Sequence, residues 1–528
     1  MKNKINIFFK KFIIKNTYAK NIIATILFII ALHFYFYSYI GTYNYLHKRP
    51  CSIHSSAQCQ RASIALNYYE EDMNFFKPQV QKTVHIDGES RITGLEFPII
   101  YYTAAIFYKC FGFNEIYLKY ISLLLCSFGF IFYNLIVLKY IKNIILSIVI
   151  VLAASFSPVL LYYIPNFMPD APALGLMLAA WYFFFNFLES NKICNFRWFI
   201  FFGTLSALIK ATFLMGFFVV LCLIVLDYLK FFKTNTKENI ILNRKKILSH
   251  VLFGFIIVIS WYFYASWLAK INNNETFSLE PVLASSWEIV SKVSETVINL
   301  WLFQYYPYET YVFIGAIILI LIIGFKFVNR LLASITILYF LGSLCYIYLF
   351  LNQFMWHDYY IISLLPVVFF LFLTFADFAR TISDKYSSII LLILFITIYF
   401  NIKECRIWTK KQYNDRFSDY VLSSNPTNTF IAYEDLETKL RSLGIRRDNK
   451  VLFAFDNYFC NQMYLSNQLG YSFDTSISST DLKKLVNNPK YKYLVVNDTI
   501  QFNKIYGKDL KEKIISSHRS LLIYKLFN

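Results

Sequence analysis

The chain has 528 residues, of which 57% are hydrophobic, 20% aromatic and only 16% charged, with a mean hydropathy of +0.47 and a net charge of +19. These values exclude a disordered, collagenous or coiled-coil chain, and a soluble chain of this length would carry more charge. They describe a polytopic membrane protein. The positive charge could suggest a nucleic-acid partner, but that reading weakens because many lysines and arginines sit in short clusters beside apolar stretches. Nine cysteines without a C-x-x-C pair form no disulfide framework.

In chain order, six lysines from Lys2 to Lys20 precede an apolar run from Asn21 to Ile40. Bulky Tyr, Phe and His at its end do not fit a cleavage site, so it reads as an uncleaved first span with a cytoplasmic N-terminus. Further spans are predicted near 114–138, 143–163, 171–189, 198–209, 211–229, 249–268, 309–326, 331–351, 359–378 and 387–402, about eleven in all. The basic groups Lys139/Lys142, Lys192/Arg197, the Lys230–Lys246 stretch, Lys326/Arg330 and Arg380/Lys385 then all fall on the N-terminal side. That alternation requires 97–113 to be an interfacial helix rather than a span, with Pro98 in its first turn and Gly112 at its end.

Three segments are expected outside the cytoplasm: 41–113, 269–308 and 403–528. The expected division is therefore a transmembrane domain over 1–402, including the first extracytoplasmic loop 41–113, and a small α/β domain over 403–528. In the latter, Val451–Phe455 and Tyr493–Val496 read as buried strands.

Charged groups beside a bilayer are costly, which draws attention to two acids. Glu96 directly precedes the interfacial helix, where the helix dipole favours a carboxylate. Asp170 lies in Pro165-Asn166-Phe167-Met168-Pro169-Asp170-Ala171-Pro172, a proline-stiffened turn between two spans. The plain alternatives are a first-turn helix acid and a helix cap. On one face, two such carboxylates can serve acid–base chemistry. Lys210 and the His357-Asp358-Tyr359-Tyr360 run also fall at outer span ends, the depth of a lipid phosphate; snorkelling alone accounts equally for Lys210. Cys51 and Cys59 are both predicted outside, where a disulfide is one of two open alternatives. The sequence contains no H-E-x-x-H, no Gly-rich phosphate loop and no nucleophile elbow.

The loops as a set resemble the bacterial GT-C membrane glycosyltransferases, the family that includes protein O-mannosyltransferases and the lipid A aminoarabinose transferase. The matching stretches are Gln60–Ala65 with Asn67-Tyr68-Tyr69, Phe75–Gln79, Gly94–Pro98 running into Tyr101-Tyr102 and Tyr108–Gly112, Pro165–Pro172, Lys210-Ala211-Thr212 and His357–Tyr360. In the C-terminal segment they are Asp456-Asn457 and Tyr464-Leu465 to Gly470-Tyr471. The resemblance implies a polytopic α-helical enzyme of the bacterial plasma membrane with an extracytoplasmic C-terminus. It implies inverting transfer of a hexosyl or pentosyl group from a polyprenyl-phosphate donor to an envelope acceptor, a lipid, glycan or protein that stays unidentified. It leaves a divalent metal an open question and names no other cofactor. Glu96 and Asp170 take the catalytic positions, Arg61, Lys77, Lys210 and His357 the donor phosphate, and Gln58, Tyr102 and Tyr359 the substrate pocket. One departure is clear: the family's usual acid three residues before Arg61 is Gln58, which is no carboxylate base. A transporter or flippase, or a non-catalytic binder of lipid-linked glycans, is the alternative function.

Overall fold

The computed structural model describes residues 17–50, 54–82, 90–231, 244–274, 283, 286–382, 398–411, 430–455, 460–507 and 510–527. Cys51, Asp87, Glu89, Lys385, Asp456-Asn457 and most of the predicted span 387–402 lie outside the described residues.

The helices used below are α1 (Thr17–Leu32), α2 (Ser55–Glu70), α3 (Ile99–Phe111), α4 (Ile116–Ile141), α5 (Asp170–Ser190), α6 (Ile193–Ile209), α7 (Met215–Tyr228), α8 (Arg244–Ile271), α9 (Arg330–Leu349) and α10 (Pro366–Ile382). Among the described residues, six helical segments are long and apolar enough to cross a membrane, and two bent pairs raise the number to eight at most. Among the described residues the expected count of about eleven is not confirmed; the predicted span 387–402 lies mostly outside them, and the other differences are local. The predicted span 143–163 is broken: a helix over Ile144–Ala154 stops, and Pro158 opens a second short helix whose first turn is capped by Ser157 accepting from the Leu160 amide at 3.2 Å. The predicted span 198–209 is α6, whose 17 residues rise only about 25 Å, short of a bilayer core of about 30 Å, although it returns from the Ser190 end of α5 to the Asp170 end. Pro307 turns Trp287–Tyr305 through 88° against Tyr308–Ile323, and a 41° bend separates Asp358–Leu364 from α10, which opens on Pro366.

The α3 helix is present as expected, entered at Pro98 and ended by Gly112. The bundle centres on α4, α5 and α6. Gly129 of α4 and Gly175 of α5 let two backbones nearly touch: a Cβ on Gly129 would lie 2.1 Å from the Gly175 carbonyl oxygen. Trp181 is fully buried beside them, its indole N–H donating to the Tyr339 hydroxyl of α9 at 2.6 Å.

The bundle has two chemically distinct ends. At one, Lys20 donates to the Lys142 carbonyl, Lys139 pairs with Glu189 at 2.8 Å, and Arg330 reaches the Phe231 carbonyl. Asp170 begins the helix that Glu189 helps to finish, so the two acids stand about 29 Å apart along its axis. The Asp170 end carries the candidate site.

The C-terminal segment forms a five-stranded sheet: β1 (Val451–Ala454), β2 (Gly470–Phe473), β3 (Tyr493–Val496), β4 (Ile514–His518) and β5 (Leu521–Lys525), in spatial order β2-β1-β3-β5-β4. β1 runs parallel to both neighbours, whereas β5 is antiparallel to β3 and to the edge strand β4. All four β1 residues are buried, the pattern of a central strand covered on both faces. This unit docks on α2, on Glu71 at its end and on Glu115 ahead of α4. Arg447 pairs with Glu71 and donates to Asn67, Asn461 donates to Ser55 at 3.0 Å, and Tyr464 donates to Glu115 at 2.9 Å.

Candidate functional site

A cavity of about 910 Å³ opens between the start of α2, the segment before α3, the α6–α7 junction, α8 and the residues around 346–360. That volume suits a ligand larger than a monosaccharide. One wall is charged and aromatic, with His54, Arg61, Glu96, Lys210, His357, Tyr359 and Tyr360. The other is apolar and includes Ile209, Val258, Ile259 and Phe263. Ile259, Phe263 and Trp356 are substantially exposed, so the apolar wall runs out to the protein surface.

Glu96 is fixed by its backbone surroundings. The Phe97 amide donates to the Leu208 carbonyl at 3.0 Å, and the Trp261 indole N–H donates to the Leu95 carbonyl at 3.1 Å. Gly94 passes directly against α8, where a Cβ would fall 1.8 Å from the Ala265 carbonyl oxygen. Arg61, one of the buried residues of α2, donates to the Glu96 Oε1 at 2.8 Å, and the Tyr101 hydroxyl donates to the same oxygen at 2.7 Å. Burial works against the guanidinium charge, but Glu96, Tyr101, Tyr359 and Asp170 outweigh it and hold the Arg61 pKa above its ordinary value. Burial and the adjacent carboxylate both push the Tyr101 phenol up, so it stays a donor.

Lys210 ends α6, and its Nζ lies 2.8 Å from the Asp170 Oδ1. Asp170 is fully buried, and neither of its oxygens makes a well-aligned hydrogen bond among the described residues, so the contact is an ion pair of poor hydrogen-bond angle. The ammonium lies over the rings of Tyr360 and Tyr359, 4.9 and 5.4 Å from their centroids. Burial disfavours the Lys210 charge, yet Asp170 prevails and raises its pKa. The electrostatic influence of Asp170 on Arg61, and of Arg61 on Lys210, makes the two ion pairs neighbours in one field.

A third constellation lies beside them. His54 Nε2 is 3.0 Å from the Oδ1 of Asp358, a fully buried carboxylate that also accepts from the Tyr163 hydroxyl at 2.9 Å. The His54 ring stacks on His357, with centroids 5.9 Å apart, and meets the edge of Tyr359 at 5.1 Å. His357 has a ring nitrogen, Nδ1, 3.2 Å from the Gln353 carbonyl. Burial, reinforced by His54, pushes its pKa down to about 4.

The structure therefore brings Arg61, Glu96, Lys210, His357 and Tyr359 to one cavity, with Asp170 directly behind Lys210. Three expected site residues lie elsewhere. Lys77 is exposed in the loop after α2 and does not line the cavity. Gln58 is buried in α2 but is absent from the cavity wall, and Tyr102 packs edge-on against Tyr68 and Phe75. Each of the two carboxylates is paired with a cation, Glu96 with Arg61 and Asp170 with Lys210. His54 and Tyr163 were not singled out because no local motif surrounds them. The only signal is that His54 precedes Gln58 by one helical turn. Among the described residues no group of three or more His, Cys, Asp or Glu could hold a metal ion.

The chain is similar in fold to ArnT from Cupriavidus metallidurans. The apo form matches with a TM-score of 0.58 at 9% identity, covering 95% of this chain and 97% of that one. The form bound to undecaprenyl phosphate matches with 0.56 at 8%, covering 95% and 98%. The apo oligosaccharyltransferase of Archaeoglobus fulgidus matches with 0.53 at 10% identity, covering 90% of this chain and 69% of that one. No protein-family model matches the chain, and no curated protein matches it at the sequence level. The likeness is one of fold, and both neighbours are GT-C membrane glycosyltransferases, the family that the loops of this chain resemble.

Proposed function

We propose that the protein transfers a hexosyl or pentosyl group, with inversion, from a polyprenyl-phosphate donor to an envelope acceptor on the extracytoplasmic side of a bacterial plasma membrane. In this reading the basic end of the bundle lies in the cytoplasm, and the cavity, the first loop and the C-terminal sheet lie outside. The observation that carries it is a single cavity joining two cations, the buried Arg61 and the partly buried Lys210, to an apolar wall that reaches the surface. Such a cavity suits a ligand with a phosphate at one end and a hydrocarbon chain at the other.

Arg61 and Lys210 receive the donor phosphate and stabilise the charge that grows on it as the anomeric bond breaks. Glu96 and Asp170 keep these cations in place while the site is empty. His357, uncharged at neutral pH, and Tyr359 border the sugar. The neighbours of similar fold include one bound to undecaprenyl phosphate, which supports the donor class but not a particular sugar or acceptor.

The test is transfer of a labelled sugar from undecaprenyl-phosphate donors in membranes, with binding of undecaprenyl phosphate followed in parallel. Arg61→Met and Lys210→Met are expected to lose binding and transfer while the protein still accumulates. Movement of lipid across vesicles without covalent change would replace this reading by transport, and binding without turnover for any acceptor would replace it by a non-catalytic role.

A further inference from the structure

The transfer reading needs a group that takes the acceptor's proton, and neither Glu96 nor Asp170 is placed for it. Each stands 2.8 Å from a cation, so accepting a proton would break an ion pair that holds the cationic wall together. A third acid–base assembly at the same cavity is not tied up in this way. We propose that His54 is the general base for the acceptor, with Asp358 as the residue that positions it and balances its charge. The proposal rests on the transferase reading.

The geometry behind it is specific. His54 sits at the residue just before α2, is 6% exposed and borders the cavity that holds Arg61 and Lys210. Its Nε2 faces the Asp358 carboxylate at 3.0 Å, which leaves Nδ1 as the ring atom able to take a proton. Asp358 is fully buried and tied to the Tyr163 hydroxyl from the helix over Pro158–Tyr163, so its position is fixed from two elements. Asp358 supplies the counter-charge beside the imidazolium that the step forms. The titratable and charged groups that face His54 are Asp358, His357 and Tyr359 from one segment and Tyr163 from another. Arg61 and Lys210 share the cavity. His357 is a poorer candidate, because burial and the neighbouring His54 leave it a weak base.

In the step itself an acceptor hydroxyl attacks the anomeric carbon from the face opposite the phosphate. Its O–H bond breaks and the proton passes to His54 Nδ1. The new C–O bond forms as the anomeric C–O bond to phosphate breaks, and that electron pair leaves on the phosphate oxygen between Arg61 and Lys210. The imidazolium later returns its proton to water.

The experiment uses the full-length protein in membranes, comparing wild type, His54→Asn, His54→Ala and Asp358→Asn. His54→Asn is expected to reduce transfer by about 100-fold or more while undecaprenyl phosphate affinity stays within about twofold. Added imidazole is expected to restore transfer in His54→Ala but not in Arg61→Met. Asp358→Asn is expected to move the acidic limb of the pH–rate profile of transfer. Unchanged transfer in His54→Asn overturns the assignment. A fall in transfer that parallels lost undecaprenyl phosphate binding, with no imidazole rescue, overturns it as well. A wild-type protein that transfers no sugar refutes the transferase reading instead, and is thereby distinguished from failure of the histidine alone.

Discussion

The Lys210–Asp170 pair gives the sharpest physical prediction. Asp170 is fully buried, and the Lys210 ammonium at 2.8 Å is its counter-charge. Lys210→Met leaves the carboxylate buried without it, which costs about 3–5 kcal/mol. Asp170 also opens α5, and the helix dipole returns about 0.3–1 kcal/mol, so the net cost is about 2–5 kcal/mol. Asp170→Asn removes the same pair from the other side but is expected to cost less, about 1–3 kcal/mol. The reason is that Lys210 still lies over Tyr360 and Tyr359 at 4.9 and 5.4 Å and borders the cavity, where water or phosphate can reach it. The double substitution removes both charges and is expected to be more stable than Lys210→Met alone, a coupling on the order of 1–3 kcal/mol. Denaturant unfolding of the purified protein in detergent, followed by tryptophan fluorescence, measures all three variants. A Lys210→Met protein as stable as wild type, or strictly additive effects in the double variant, would refute the pairing.

Four further outcomes follow from other parts of the site and its supports. His357 is protonated in the unfolded chain below about pH 6.5 but in the folded chain only near pH 4. The unfolded state therefore binds the extra proton in that window, and stability falls as pH drops from about 6.5 to about 4; His357→Asn should flatten that part of the stability profile. Gly94→Ala places a methyl group against the Ala265 carbonyl, so the segment carrying Glu96 must shift; lower accumulation and loss of at least about 1–3 kcal/mol are expected in the same unfolding assay. Gln58→Glu is expected to give no gain in sugar transfer and to destabilise the protein, because position 58 is buried and off the cavity wall; a rise in transfer would show that the wall reaches this residue. Glu71 is held below its ordinary pKa: burial opposes this, but Arg91 and Arg447 outweigh it. Its contribution to holding the C-terminal sheet is thus present above the usual carboxylate range and lost as pH falls through the depressed value, and Arg447→Ala should make the sheet more sensitive to protease at neutral pH.

Much of the architecture was legible because it depends on local physical chemistry. Long apolar runs announced α4, α5, α7, α8 and α9, since exposing such runs to water is prohibitive and in lipid their backbones must bond internally. Pro98 and Gly112 announced the limits of α3, and four- or five-residue apolar runs announced β1 and β3. Among the described residues the spans are fewer than expected where hydropathy is blind to breaks. Ser157-Pro158, Pro307 and Pro366 interrupt stretches whose average composition still looks continuous.

The sequence also singled out Arg61, Glu96, Asp170, Lys210 and His357, because ionisable groups beside apolar spans are rare enough to be informative. By itself it determined a basic, helix-rich membrane chain ending in a small sheet, and a short register of costly polar groups. Only the tertiary structure decided which of these meet. Glu96 belongs to Arg61 and Asp170 to Lys210, pairings across 35 and 40 positions that no helical period encodes. His54 and Asp358 meet across some three hundred positions through packing against Tyr163 and Tyr359. Lys77 and Tyr102 share the chemistry of site residues but face elsewhere, because the direction of a side chain is set by the neighbours its helix or loop packs against and not by its own identity.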